Sequence, residues 1–180
     1  RVVVFGCLPV ASKILKLADN IEDLSVVGVS INNYSPNVYD PFFEYPFLNK
    51  FADQRGIPHM SHDQLASDPL GFDLGIAVRY SKFISKDIID KFSIGIVNFH
   101  PGILPEYAGL LTEVHALLNN ESHAGATLHW INEKIDRGPI VSTKAFLLSG
   151  LDTALSVYQR TSLAMYDLAE DFLSRKLFLQ

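Results

Sequence analysis

Strand-like and helix-like apolar patterns alternate along this chain, and that alternation limits its fold more than any other feature. Val2 to Phe5 is a run of β-branched and aromatic residues, followed by Gly6 and then by Val10, Ile14, Leu15 and Leu17 at helical spacing. Such a sequence reads as strand, tight turn and helix. Leu24 to Ser30 is a second strand by the same test, so these elements imply a parallel pair joined by a crossover. Asn32 to Pro46 mixes Asn, Ser, Pro, Asp and aromatic residues and reads as a surface loop; its aromatic group from Tyr39 to Phe47 suits a packed loop better than a binding platform. A helix carrying Phe47, Leu48 and Phe51 follows and ends at Gly56 and Pro58. Asp73 to Val78 is a third strand, Ile84 to Phe92 a helix, and Ile94 to Asn98 a fourth strand, apolar on both faces and therefore central. Leu110 to Asn119 reads as a helix, and Ala124 to Ile131 and Pro139 to Leu147 as strands. Leu151 to Leu173 is a long closing helix with Asp152 as candidate cap and Leu155, Tyr158, Leu163, Tyr166, Leu168 and Phe172 on its buried side. The pattern predicts one α/β domain over residues 1–180, with a mainly parallel central sheet flanked by helices.

Composition narrows the partners. With 180 residues, 48% of them hydrophobic, the chain can bury a sizeable core. A net charge of -5 and scattered basic residues argue against a nucleic-acid partner, which needs a concentrated Lys/Arg surface. A single cysteine, Cys7, makes no internal disulfide and suits the reducing cytoplasm. No apolar run reaches membrane-spanning length, so no membrane partner is expected. The histidines at 59, 62, 115 and 123 lack metal-ligand spacing.

The stretch from Asn98 to Tyr107, "NFHPGILPEY", is the densest in chemistry. In an open parallel sheet, ligands bind beyond the carboxyl ends of the strands, and Asn98 sits at such an end. His100 follows two residues later, so both side chains point to one side of the sheet. Pro101 and Pro105 fix the backbone, while Gly102 lets the chain turn or a ligand approach closely. An amide can donate to an oxyanion and an imidazole can move a proton near neutral pH. Asp136, ahead of Arg137-Gly138-Pro139, adds a carboxylate able to orient His100 or take part in proton transfer.

The pattern Asn98-x-His100-Pro101-Gly102-x-Leu104-Pro105, followed by Gly125-Ala126-Thr127-Leu128-His129 and Asp136-Arg137-Gly138-Pro139-Ile140, resembles the catalytic domain of the 10-formyltetrahydrofolate-dependent formyltransferases. The resemblance spans the chain from its first strand to its closing helix and implies a Rossmann-like formyltransferase fold. It also implies that Asn98, His100 and Asp136 are the catalytic set, with Asn98 and a protonated His100 stabilising an oxyanion and Asp136 moving protons. The formyl donor would be N10-formyltetrahydrofolate, with no metal. Tyr80, Ser81, Lys82, Phe83, Ile84, Leu104, Asn132 and Lys134 would form its pocket, much of it through backbone, and Gly102 and Tyr107 would meet the acceptor. Thr127 and His129 would brace the site.

The expected partners are the folate and a small acceptor amine, with a homodimer left open. A nucleotide-linked amino sugar is the preferred acceptor. Glycinamide ribonucleotide is the second choice, because that enzyme's first turn is richer in Gly, Ser and Asn than Leu8-Pro9-Val10. Hydrolysis of the formyl-folate and non-catalytic folate binding are the remaining readings. The C-terminal module that some family members carry is expected to be absent.

Overall fold

The computed structural model describes residues 1–32 and 40–179. Six strands form one sheet in the order β2-β1-β3-β4-β5-β6. They are β1 (Val2–Gly6), β2 (Val26–Ile31), β3 (Phe72–Val78), β4 (Phe92–His100), β5 (His123–Trp130) and β6 (Ile140–Leu147). The first four run parallel, and β5 and β6 pair antiparallel. Helices α1 (Pro9–Asp19), α2 (Leu48–Arg55), α3 (His62–Ser67), α4 (Lys86–Ile89), α5 (Thr112–Leu118) and α6 (Ala154–Ser174) connect and flank them. The sheet order places β4 inside the sheet, as its two apolar faces require.

The core forms on both faces of the parallel half. Val2, Val4, Ile76, Val78 and Val97 pack against α1 and α6 through Ile14, Leu15, Met165 and Phe172. Val3, Phe5, Ile96 and Phe92 pack on the opposite face against Leu65, Ile84 and Ile88. This two-sided burial follows from period-2 alternation in strands that carry apolar residues on both faces. Trp130 meets Phe172 edge-on at 6.2 Å, joining the sheet to α6.

Several boundaries differ from those the sequence suggests. The stretch expected as a helix from Ile84 to Phe92 holds only one helical turn, because Phe92 already belongs to β4 and pairs with Phe72. Helix α3 was not expected; Ser61 and Gln64 form a reciprocal capping box at its start. On α6, Leu155 and Leu163 are each 45% exposed rather than buried. The packed face is instead built on Val157, Thr161, Ala164, Met165, Leu168 and Phe172, whose smaller members let the helix lie close to β5. Thr153, not Asp152, caps α6, while Asp152 accepts hydrogen bonds from the Ser149 N–H and the Ser156 hydroxyl. In the aromatic loop, Tyr39 lies outside the described residues; Phe42 is buried against Tyr166 and Phe43 points to solvent.

Candidate active site

The end of β4 carries Asn98 and His100 on one face, two residues apart. In the antiparallel ladder, Asn98 stands opposite His129 and His100 opposite Thr127. The Asn98 Nδ2 lies 3.1 Å from His129 Nε2, and His129 Nδ1 lies 2.9 Å from the Trp130 carbonyl. With a proton on Nδ1, His129 donates to the Trp130 carbonyl and accepts one amide proton of Asn98 through Nε2, leaving the second amide proton for another acceptor.

His100 is buried, and its Nε2 donates to the Tyr107 carbonyl at 2.6 Å. The other ring nitrogen, Nδ1, faces Asp136 Oδ2 at 3.6 Å. Asp136 also lies 3.6 Å from His129 through Oδ1 and accepts the Gly109 N–H at 2.9 Å. The carboxylate therefore stands between two imidazoles, on a residue in the left-handed backbone region with φ of 51°. It comes from the connection between β5 and β6, anchored where Gly138 packs on the Trp130 carbonyl so closely that a Cβ would lie 1.7 Å from that oxygen. Only glycine fits there.

Burial pushes the His100 pKa below its ordinary value, although Asp136 and the Tyr107 carbonyl pull it back up. The contact with the Tyr107 carbonyl puts a proton on Nε2, and Nδ1 is the nitrogen that faces Asp136. Desolvation, which the sequence does not display, works against the charged His100 that the resemblance implies. Burial also pushes the Asp136 carboxyl up, but the His129 and His100 rings and the Gly109 N–H hold it below the usual carboxylate range.

The turn after β4 is fixed from several sides. The Thr127 hydroxyl donates to the Gly102 carbonyl at 2.7 Å and accepts the Leu104 N–H at 3.1 Å, and the Thr112 hydroxyl donates to the Pro101 carbonyl. A Cβ on Gly102 would lie 2.6 Å from the Tyr107 carbonyl and 3.0 Å from His100 Nε2. Gly102 thus makes room for the His100 hydrogen bond. Tyr107 donates its hydroxyl to Glu121 and packs its ring in a small cluster with Ala116, Ala124 and Val157.

Beside the three residues opens a cleft lined by Tyr80, Lys82, Phe83, Ile84, Asn98, Asn132, Lys134 and Asp136 together with Ala77, His129, Ile131 and Ile135. Six of the eight positions expected for the folate line it. Ser81 instead accepts a hydrogen bond from Asn32, and Leu104 is buried. Of the four additional residues, Ala77 lies on β3, His129 and Ile131 at the end of β5 or just past it, and Ile135 beside Asp136, so the pairing of separate strands brings them together. Phe83 and Ile135, 59% and 69% exposed, are large apolar side chains at the cleft edge. The Tyr80 hydroxyl is held by His62 Nε2 at 2.8 Å and Ser30 at 3.1 Å, and Asn132 braces its own loop by accepting the Lys134 N–H and donating to the Arg137 carbonyl. Among the described residues, no group of three or more His, Cys, Asp or Glu side chains is arranged to hold a metal ion, and no helix is long and apolar enough to cross a membrane.

An amide, an imidazole and a carboxylate are thus gathered at the mouth of a parallel sheet, beside a largely apolar cleft. Residues 49–169 match the family model described as formyl transferase, and the chain belongs to that family. It is 31% identical over 136 residues to a methionyl-tRNA formyltransferase of Pseudothermotoga lettingae, covering 76% of this chain and 43% of that protein. A methionyl-tRNA formyltransferase of Borrelia turicatae is 27% identical over 157 residues, 84% of this chain and 51% of the relative. The chain spans about half the length of these relatives or less. The fold is shared with an N-formyltransferase of Helicobacter canadensis in complex with folinic acid and dTDP-3-aminofucose (TM-score 0.79, 22% identity, 98% of this chain and 63% of that one). It is equally shared with phosphoribosylglycinamide formyltransferase of Bacillus halodurans (TM-score 0.77, 18% identity, 98% and 95%).

Proposed function

We propose that this chain transfers the formyl group of N10-formyltetrahydrofolate to the amine of a small acceptor, with an amino sugar carried on a nucleotide as the preferred one. The observation that carries the reading is the joint placement of Asn98, His100 and Asp136 at the edge of the apolar cleft. The pterin lies in that cleft, under Phe83 and Ile84 and against the 132–136 loop. The acceptor amine attacks the formyl carbon, forming a C–N bond, and the carbonyl oxygen becomes an oxyanion. The second amide proton of Asn98 donates to it. His100 Nδ1 takes the proton released by the attacking nitrogen, and Asp136 stabilises the imidazolium so formed. Returning that proton to the folate nitrogen as the C–N10 bond breaks releases tetrahydrofolate and the formamide.

The same three residues could also pass the formyl group to water. The test is a competition: N10-formyltetrahydrofolate is offered with amino-sugar nucleotides, glycinamide ribonucleotide and aminoacylated initiator tRNA together, and products are identified by mass. Formylated amino sugar is expected. Formate as the sole product would replace transfer with hydrolysis, and a formylated ribonucleotide or tRNA would replace the acceptor.

A further inference from the structure

Helix α5 is placed by polar contacts. It has seven residues, and its buried ones are Thr112, Glu113 and Ala116, so apolar burial contributes little to where it sits. Its N-cap, Leu111, makes no side-chain hydrogen bond and stands in the left-handed region at φ of 56°, and Leu110 and Leu111 are both exposed. A residue other than glycine stays in that region only where its surroundings over-determine it. Here an ion pair does so. Arg79, the first residue after β3, brings Nη2 to 2.7 Å from Glu113 Oε1, and the two side chains are 10% and 9% exposed. The guanidinium lies 4.2 Å from the centre of the Tyr158 ring, so α6 covers the pair. Arg79 also acts at longer range on Asp40, whose carboxyl is pushed up by burial and pulled back by the Phe42 and Val10 N–H groups and by Arg79. A buried ion pair is seldom more stabilising than apolar side chains of the same size. What this one adds is a fixed separation between the start of α5 and the end of β3.

The start of α5 in turn grips the segment that follows β4. Thr112, beside Glu113, donates its hydroxyl to the Pro101 carbonyl and lies 3.3 Å from Glu113 Oε2. A Cβ on Gly102 would stand 3.1 Å from Thr112 Cβ, so α5 packs directly on the turn whose far end, the Tyr107 carbonyl, accepts from His100. Thr127 grips the same turn from β5, at Gly102 and Leu104. The grip from β5 rests on the strand ladder, and the grip from α5 rests on Arg79 and Glu113. The imidazole also feels the pair: burial dominates its lowered pKa, and Glu113 opposes that shift after Asp136 and the Tyr107 carbonyl.

We propose that Arg79 and Glu113 are positioning residues: their ion pair locks α5 to the end of β3 and, through Thr112 and Pro101, fixes the turn that orients the His100 ring. Neither side chain lines the folate cleft. The effect on turnover rests on the formyl-transfer reading, whereas the effect on the ring rests on geometry alone.

The test compares wild type with Arg79→Met/Glu113→Met, which keeps the net charge and replaces the pair by apolar side chains of similar length. Urea unfolding checks that the variant is folded. In wild type the proton on His100 Nε2, held by the Tyr107 carbonyl, should give an NMR signal protected from exchange with water. The double variant should lose that signal. Its kcat should fall on the order of a hundredfold, the cost of misplacing a reacting group by about 1 Å, with KM for N10-formyltetrahydrofolate unchanged. Where the double variant does not fold, Arg79→Lys, which keeps the charge but not the rigid fork, decides in its place with the same losses in smaller degree. A folded variant that keeps the protected signal overturns the proposal, and so does an unchanged kcat or a wild type without that signal. A wild type that transfers no formyl group counts against the reaction, and the exchange measurement still decides the role of the pair.

Discussion

The parallel and antiparallel halves of the sheet are built to different standards. Every residue of β1 is buried, as are six of the seven in β3, whereas β6 is exposed or half-buried along its whole length and forms one edge of the sheet. The site lies on the seam. Asn98 and His100 come from the last parallel strand, His129 from its antiparallel neighbour, and Asp136 from the β5–β6 connection. The rigid half fixes the groups that must not move, and the lighter half brings the carboxylate to them.

Truncation in the two halves should break or confirm this contrast most directly. Phe5→Ala removes a fully buried ring in contact with Tyr80 and Phe92, and should cost about 3–5 kcal/mol in urea unfolding. Leu147→Ala, at the exposed end of β6, should stay within about 0.5 kcal/mol of wild type. Equal losses would show that β6 is covered in solution. Opening the Arg79–Glu113 pair by Glu113→Ala leaves a buried guanidinium uncompensated and should cost about 3–5 kcal/mol, while the double change to apolar residues of similar size should recover much of it.

At the seam, Asn98→Ala should lower turnover by about a hundredfold to a thousandfold with little change in melting temperature. Near-normal turnover would remove the amide from the chemistry. The pH profile sharpens the roles further. With His100 as the base of the proposed transfer and burial lowering its pKa, kcat/KM should fall on the acid side through a limb below the ordinary histidine value of 6.5. Asp136 pulls that pKa up, so Asp136→Asn should move the limb to still lower pH in whatever activity remains. A limb shifted upward would contradict the assignment.

The smallest effect concerns the start of α6. Hydrogen bonds from the Ser149 N–H and the Ser156 hydroxyl hold Asp152 down at about 2, below its ordinary 3.8. A depressed carboxyl contributes stability that is complete above the ordinary value and is lost as pH falls through the folded one. The urea midpoint of wild type should therefore drop between about pH 4 and pH 2 by more than that of Asp152→Asn.

Much of this was legible in the sequence, for reasons that differ by element. Strands apolar at every position announce themselves without knowledge of their neighbours, and Asn98 and His100 share a face through the local two-residue period alone. Asp136 was legible through its motif, not through any local geometry. The orientation of α6 was not legible, because Leu155 and Leu163 fit a helical stripe as well as Val157 and Met165 do, and only the close approach of β5 chooses between them. Helix α3 had a readable signal in Ser61 and Gln64, masked by its short length. The contact of His129 with Asn98 depends on antiparallel register, and the lowered pKa of His100 depends on burial; neither is written in a local pattern.

The hydrogen bond from His100 to the carbonyl of Tyr107 has an evolutionary consequence. The acceptor is main chain, so no substitution at position 107 that preserves the turn removes it, and the residue there is free to drift with the demands of packing. The tautomer of the imidazole is inherited from the path of the backbone. Genetic variation reaches it chiefly through Gly102, where any side chain would press on the carbonyl and the ring together.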